Sequence, residues 1–310
     1  MDALSGFLTG PRARSAFVLR SILDPPWSLR IEDESPLTLI AVVRSDAWVV
    51  PDDGTSERLG PGDLAIVRGP DHYTVADHPA TTPQVVIHPG QHCTTLDGES
   101  LAEAMDLGVR TWGHSLEGAA VMLTGTYQSD GEISRRLVDT LPALMVLRAE
   151  EWDSPLVPLL AAEIVKEEPG QQVVLDRLLD LLLVSSLRVW FARPEGDPPA
   201  WYQANRDPVI GRAVRLLQND PGQSWTVANL AATVGVSRAA LARRFHELVG
   251  EPPMTFLANW RMALAADLLR EPGAVVGAVA RQVGYTSPFT FSTAFKRVYG
   301  VAPRAYRDAA

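Results

Sequence analysis

Residues 227–256 read VANLAATVGVSRAALARRFHELVGEPPMTF, and residues 276–306 read VGAVARQVGYTSPFTFSTAFKRVYGVAPRAY. The two stretches carry the same pattern. Ala231, four residues before Gly235, is echoed by Ala280, four residues before Gly284, at an interval of 49 residues. One extra residue then moves the interval to 50, at which Ser237 matches Ser287, Phe245 matches Phe295, Gly250 matches Gly300, Pro253 matches Pro303 and Phe256 matches Tyr306. A fixed period over positions of such different chemistry marks a repeated supersecondary unit.

The unit reads as a helix, a turn and a second helix. Val227, Leu230, Ala231 and Val234 have helical spacing and stop at Gly235, a residue suited to a left-handed cap. Ser237 is a natural N-cap for the next helix, whose buried stripe is Leu241, Phe245 and Leu248. Small Ala231 lets the two helices approach closely, as a helix-turn-helix requires. Gly284, Ser287, Phe291 and Phe295 repeat the scheme.

Charge follows the repeat. The whole chain is acidic, with a formal net charge of −9. From Arg206 onward, however, 13 basic residues face 7 acidic ones, a balance of +6, while residues 1–205 carry 15 basic and 30 acidic groups, a balance of −15. The cationic surface therefore lies on the repeat-bearing module, as nucleic-acid binding requires. Binding through counterion release should weaken steeply as salt rises.

Trp225-Thr226-Val227, Leu230-Ala231, Gly235-Val236-Ser237, Leu241-Ala242-Arg243-Arg244-Phe245, Gly250-Glu251-Pro252-Pro253-Met254, Gly284-Tyr285, Phe295-Lys296-Arg297 and Pro303-Arg304-Ala305-Tyr306-Arg307 together resemble the DNA-binding region of AraC-type transcriptional regulators. The resemblance implies seven helices, with a spacer helix from about Pro253 to Leu269 between two reading heads. At ~1.5 Å per residue the spacer spans ~25 Å, of use in reaching major-groove faces ~34 Å apart. It further implies that base contacts come from the exposed N-terminal face of each second helix. Those positions hold Arg238, Ala239, Ala242 and Arg243 in the first head, and Pro288, Phe289, Thr290 and Thr293 in the second. Arg243 suits bidentate reading of guanine, while Phe289 and Thr290 suit thymine methyls. Ser237, Ser287, Arg244, Lys296 and Arg297 complete the DNA-binding set, with Ser237, Arg244, Lys296 and Arg297 as phosphate contacts. The alternative for each cation is a solvated surface charge. Phe245, Phe291, Phe295 and Tyr306 read as core.

The front of the chain has a different texture. Short extended runs occupy Trp27–Ile31, Leu37–Val43, Ala47–Val50, Leu64–Val67, Tyr73–Ala76, Val85–His88 and Val121–Tyr127. Turn signals at Pro51-Asp52-Asp53-Gly54 and Gly60-Pro61-Gly62-Asp63 separate them. Such spacing predicts a β-sandwich or barrel. Leu59 to Leu64 followed by Pro70-Asp71-His72 is similar to the turn and second motif of a cupin jelly roll, a sensor that many AraC-type regulators carry. The expected architecture is thus multidomain α+β: a cupin-like barrel at 1–130, a helical dimerisation segment at 131–193, a linker at 194–207 and an all-α tandem helix-turn-helix at 208–310.

Metal-dependent cupins bind through an early His-x-His, yet no histidine precedes His72. A cupin dioxygenase is disfavoured, and no enzymatic constellation stands out. His72, His78, His88 and His92 remain, beside Cys93, the only cysteine. His72, His88, His92 and Cys93 would suit zinc or another transition metal if the strands brought them together, the alternative being scattered surface histidines. A lone thiol fits a reducing cytosol. Flanked by His92, it could have a lowered pKa and act in redox sensing, the alternative being a small buried hydrophobe.

Gln171–Phe191 forms a long apolar helix with Leu175, Leu178, Leu179, Leu182, Leu183, Leu187 and Trp190, interrupted by Asp176, Arg177, Asp180 and Arg188 and so not a membrane span. The resemblance implies a homodimer interface there, with packing inside the chain as the alternative. Met1–Gly10 does not read as a secretory leader. The expectation is a cytoplasmic, sequence-specific regulator that binds promoter DNA as a homodimer and responds to a small-molecule, metal or redox signal, with RNA polymerase as a further partner. The competing readings are a cupin metalloenzyme fused to a DNA-binding module and an effector-independent architectural DNA binder.

Overall fold

The computed structural model describes residues 17–127, 131–152, 154–193 and 198–309. The chain falls into two compact units, one within 12–129 and 138–196, the other within 130–137 and 197–310.

The first unit is built on two six-stranded sheets. In chain order its strands are β1 (Phe17–Leu23), β2 (Ser28–Ile31), β3 (Leu37–Arg44), β4 (Ala47–Pro51), β5 (Glu57–Leu59), β6 (Leu64–Arg68), β7 (Tyr73–Ala76), β8 (Val85–His88), β9 (His92–Thr95), β10 (Thr111–Gly113), β11 (Ala120–Tyr127) and β12 (Leu144–Leu147). One sheet runs β10-β1-β11-β3-β6-β12 and the other β5-β4-β7-β2-β8-β9. Pairing is antiparallel apart from β1 with β10 and β2 with β8. Trp27, Leu29, Ile40, Val42, Val49, Val75, Ile87 and Met122 fill the space between the sheets. This is the predicted cupin-like barrel.

Five strands escape the sequence pattern: β1, β5, β9, β10 and β12. β1 (FVLRSIL) carries Arg20 and Ser21 among its apolar residues, and β5 and β10 have three residues each, too few for a period of two to show. β12 lies inside the 131–193 stretch read as helical, where it closes the edge of the first sheet on β6. A four-residue apolar run supports a strand or a helix equally until a partner edge is known.

Helices α1 (Glu132–Val138), α2 (Ala149–Trp152), α3 (Leu156–Glu163) and α4 (Gln171–Trp190) account for the rest of that stretch. β3 is buried at six consecutive positions, because one face meets the barrel interior and the other is covered by α3. On α4, Leu175, Leu179, Leu182, Leu183 and Leu187 are all buried. Leu179 sits against Gly125 of β11 so closely that a Cβ there would lie 2.6 Å from its Cδ2, and its carbonyl accepts a 2.7 Å bond from the Tyr127 hydroxyl. The apolar stripe read as a dimer interface is therefore spent inside the chain. Burying it in place removes enough apolar surface to fix the helix on the sheet.

The second unit holds α5 (Ala200–Ala204), α6 (Ile210–Asn219), α7 (Val227–Val234), α8 (Arg238–Val249), α9 (Pro253–Arg270), α10 (Val276–Gln282), α11 (Pro288–Tyr299) and α12 (Pro303–Asp308). The seven from α6 onward match the number that the resemblance implies. α1 belongs to this unit as well: its first amides, of Glu132 and Ile133, donate to the Asp267 carboxylate of α9 at 2.5 and 3.3 Å. No helix among the described residues is long and apolar enough to cross a membrane.

Leu179→Ala should lower the stability of the barrel unit by about 2–5 kcal/mol, since Gly125 offers nothing to fill the space. Chemical denaturation of the full chain followed by near-ultraviolet circular dichroism checks it.

Candidate nucleic-acid interface

Each head is set by its caps. Thr226 starts α7 through a capping box: its hydroxyl accepts from the Asn229 amide at 3.1 Å, and the Asn229 side chain accepts from the Thr226 amide at 2.8 Å. Gly235 ends α7 at φ +79°. Ser237 then caps α8, accepting from Ala240 N–H at 3.2 Å. In the second head Gly284 adopts φ +85° and Ser287 caps α11, accepting from Thr290 N–H at 3.4 Å. Ser237 and Ser287 thus use an oxygen lone pair on the helix, which leaves the hydroxyl hydrogen uncommitted by the cap.

The second helices bury one stripe and expose the other. Leu241 and Phe245 of α8, and Phe291 and Phe295 of α11, are fully buried. Phe245 meets Phe256 edge-on at 5.8 Å, and Phe295 meets Tyr306 at 5.3 Å. On the opposite stripe of α8 lie Arg238, Ala239 and Arg243, with Ala242 half-buried among them. Arg243 is 76% exposed, and its nearest carboxylate, Glu247, stands 4.0 Å away. On α11 the outward stripe is Pro288, Phe289, Thr290, Thr293, Lys296 and Arg297. Phe289 is 82% exposed and, with Tyr285, Thr290, Thr293, Ala294 and Arg297, lines a groove of about 400 Å³.

Arg244 stands apart from the other candidates. Its guanidinium is paired with the Asp207 carboxylate, which also accepts from the first amides of α6, Val209 and Ile210, both at 2.9 Å. Burial alone would raise the Asp207 carboxyl, but the Ile210 and Val209 amides and Arg244 outweigh it and hold it below the usual carboxylate range. Arg244 thus braces α8 on the start of α6 in the free protein, a role not foreseen from its place in the motif. Asp-Pro ahead of an apolar-periodic run was the available sign of a cap at Asp207.

Arg261 was also missed. It interrupts the apolar run of α9, donates to the carbonyls of Pro221 at 2.7 Å and Gln223 at 2.8 Å, and lies over the Tyr285 ring at 5.9 Å. A Cβ at Gly284 would come within 2.9 Å of the Gly222 carbonyl and 2.7 Å of the Arg261 guanidinium. The spacer, the loop before α7 and the turn before α11 are therefore riveted at one point, which fixes the heads relative to each other.

A cupin family model matches residues 2–192, and a helix-turn-helix domain model matches residues 230–309. The chain is 31% identical over 314 residues to a putative AraC-like transcription regulator of Streptomyces lividans, covering 99% of this chain and 98% of that one. The chain belongs to the AraC family of transcriptional regulators. It is 26% identical to the HTH-type transcriptional regulator AlkR of Acinetobacter baylyi, with 99% of each chain covered. Among solved structures, 33% of the chain matches 92% of the DNA-binding domain of the global transcriptional factor AdpA in complex with a target DNA, at 34% identity and a TM-score of 0.31. This AraC-family protein is a DNA-binding regulator rather than an enzyme.

In the cupin unit of this regulator the histidines and Cys93 do not converge. Across the β8–β9 hairpin His88 pairs with His92 and Ile87 with Cys93, and alternation sends the two pairs to opposite faces of the sheet. His88 Nε2 is 3.0 Å from the Thr94 hydroxyl, His78 accepts from Ala80 N–H at 3.2 Å, and His72 lies 3.8 Å from Glu32. Among the described residues no group of three or more His, Cys, Asp or Glu is arranged to hold a metal ion. Cys93 faces the barrel core, and burial pushes its thiol up rather than down. This runs against the activated thiolate expected from the flanking His92.

Asp207→Ala should cost the DNA-binding unit about 0.5–2 kcal/mol at neutral pH. Because the folded carboxyl is depressed, its stabilisation is complete above the unfolded pKa of ~3.9 and fades as pH falls through the folded value. Thermal melts of wild type and variant should therefore converge in acid.

Proposed function

We propose that this AraC-family protein recognises its promoter with two unequal heads. The first reads sequence through Arg243, with Arg238, Ala239 and Ala242 around it. The second grips phosphates through Ser287, Lys296 and Arg297, and lays Phe289, Pro288, Thr290 and Thr293 against thymine methyls. The observation that carries this reading is the contrast between the N-terminal parts of the outward stripes of α8 and α11: one offers Arg238 and Arg243, the other an exposed phenyl ring between short side chains, with Lys296 and Arg297 only in its last turn. Base-edge hydrogen bonding needs the former, and apolar contact to thymine suits the latter.

The acidic cupin unit supplies the signal in this reading. A small molecule in the barrel changes promoter affinity, and RNA polymerase responds at the bound promoter in the cytoplasm. With the leucine stripe of α4 buried, the surface we assign to a second copy of the chain is its other side, where Val173, Val174 and Leu181 are exposed, together with exposed Leu159 of α3, the helix that packs on α4.

On a promoter fragment defined by footprinting, Arg243→Ala should weaken binding by about 1–3 kcal/mol and relax the preference at one base pair. Fluorescence anisotropy against single-base variants measures both. A loss that is equal on every sequence reassigns Arg243 to a phosphate, and no loss at all removes the first head from sequence reading. Leu181→Glu should shift the full chain from dimer to monomer in sedimentation equilibrium. An unchanged dimer moves the interface elsewhere.

A further inference from the structure

The barrel holds a small, partly open cavity of about 50 Å³ between its two sheets. Its walls are largely apolar, with Leu19, Leu29, Ile31 and Ile87 among them. Two lining residues stand out chemically. Trp112 of β10 is 6% exposed and Thr126 of β11 is 1% exposed, yet the indole Nε1 and the hydroxyl Oγ1 have no hydrogen-bond partner among the described residues. A buried donor without a partner is destabilising, and a folded chain that keeps two of them on one cavity wall calls for a reason.

The third polar group decides the charge that the cavity tolerates. Asp33, 9% exposed, lines the same cavity from the end of β2, in the opposite sheet. Its carboxylate already accepts from the Ser35 amide at 3.1 Å, the Ser35 hydroxyl at 2.6 Å and the Gln91 side chain at 2.8 Å. Those three donors occupy most of the carboxylate's lone pairs and leave little of it for a ligand to donate to. Among the described lining residues there is no Lys, Arg or His. Tyr73 stays a neutral phenol, raised by burial and further by Asp33. An anion brought inside would face the Asp33 carboxylate with no counter-charge among the described lining residues, in a medium that screens poorly.

We infer that this cavity is the signal site and takes a small uncharged molecule with an apolar body and a hydrogen-bond acceptor, such as a ketone, ether or ester oxygen, which receives the Trp112 N–H or the Thr126 O–H. The inference rests on the reading that the cupin unit senses a small molecule, and it names the chemical class. A cavity of this size, about a third of one that holds benzene, accepts only a few heavy atoms unless the ligand trails through the mouth. Cys93 lines the same space, with its Sγ 3.7 Å from the Gln91 carbonyl. The only thiol of the chain is thereby a built-in reporter of occupancy.

The test uses the full chain and two probes of equal size, 2-butanone and propionate, which differ in a methyl group against a charged oxygen. At the millimolar concentrations that so few atoms demand, saturation-transfer NMR should show contact for 2-butanone and none for propionate. In parallel, 2-butanone should slow iodoacetamide alkylation of Cys93, read by intact mass, at least threefold, with propionate leaving the rate unchanged. Thr126→Val, which keeps the shape and removes the orphan hydroxyl, should fold at least as stably as wild type and need at least fivefold more 2-butanone for the same protection. Equal binding of propionate overturns the assigned class while a small-molecule sensor survives. A signal for neither probe, or a 2-butanone signal indifferent to Thr126→Val and to Trp112→Phe alike, overturns the site. Protection of Cys93 without any change in promoter affinity upholds the site and its class, and ends the sensing role.

Discussion

The rest of the DNA-binding unit depends on one crowded point, the turn at Gly284. There the backbone takes a positive φ, the Gly222 carbonyl closes in, and the Arg261 guanidinium reaches across to the carbonyls of Pro221 and Gln223. Any side chain at Gly284 would meet both a strained conformation and a filled space. The consequence is mechanical. Two helix-turn-helix heads joined by a single spacer could swivel, and a swivelling pair must lose that freedom whenever both engage DNA. Locking them in advance through the spacer removes part of that cost, which is the physical content of preorganisation.

The lock places two different surfaces side by side. In both heads, glycine turns, serine caps and buried phenylalanines hold the second helix in the same way, so the scaffold repeats even though its outward residues do not. Arg243 keeps its guanidinium in solvent with only a distant glutamate beside it, whereas Arg244, one position on, is drawn to Asp207 and the start of α6. Neighbouring arginines on one helix thus meet opposite fates, because a step of about 100° turns one toward water and the other toward the next helix. Phe289 is the reverse case, an aromatic residue left outside although four other aromatics of α11 and α12, Phe291, Phe295, Tyr299 and Tyr306, pack in the core.

In the cupin unit the governing feature is that one sheet is apolar on both faces. β3 and β11 must be covered twice, inside by the opposite sheet and outside by α3 and α4. That double demand absorbs the leucines of α4. Polar residues on the inner wall are then left in a small space with few partners, and the cavity takes its character from them.

Much of this was legible in the chain itself. The repeat at 49 to 50 residues, its caps and turns, the basic C-terminal balance and the short strands up to Tyr127 rest on local rules: a glycine that must turn, a serine that must cap, an apolar residue every second or every third to fourth position. Local rules read correctly because they involve residues close in sequence. What they leave open is pairing at a distance. β1, β10 and β12 are strands only because an edge awaits them. The α4 stripe packs inward only because Gly125, some fifty residues earlier, makes room for Leu179. Cys93 and His92 part company at a sheet whose two faces the sequence does not label, so a cluster of metal-binding residue types need not be a site. The sequence by itself determined the helix-turn-helix repeat and the cupin strands. Only the tertiary structure decided which cations stay free, which leucines are spent, and which donors are left without a partner, since burial depends on what the rest of the chain brings near.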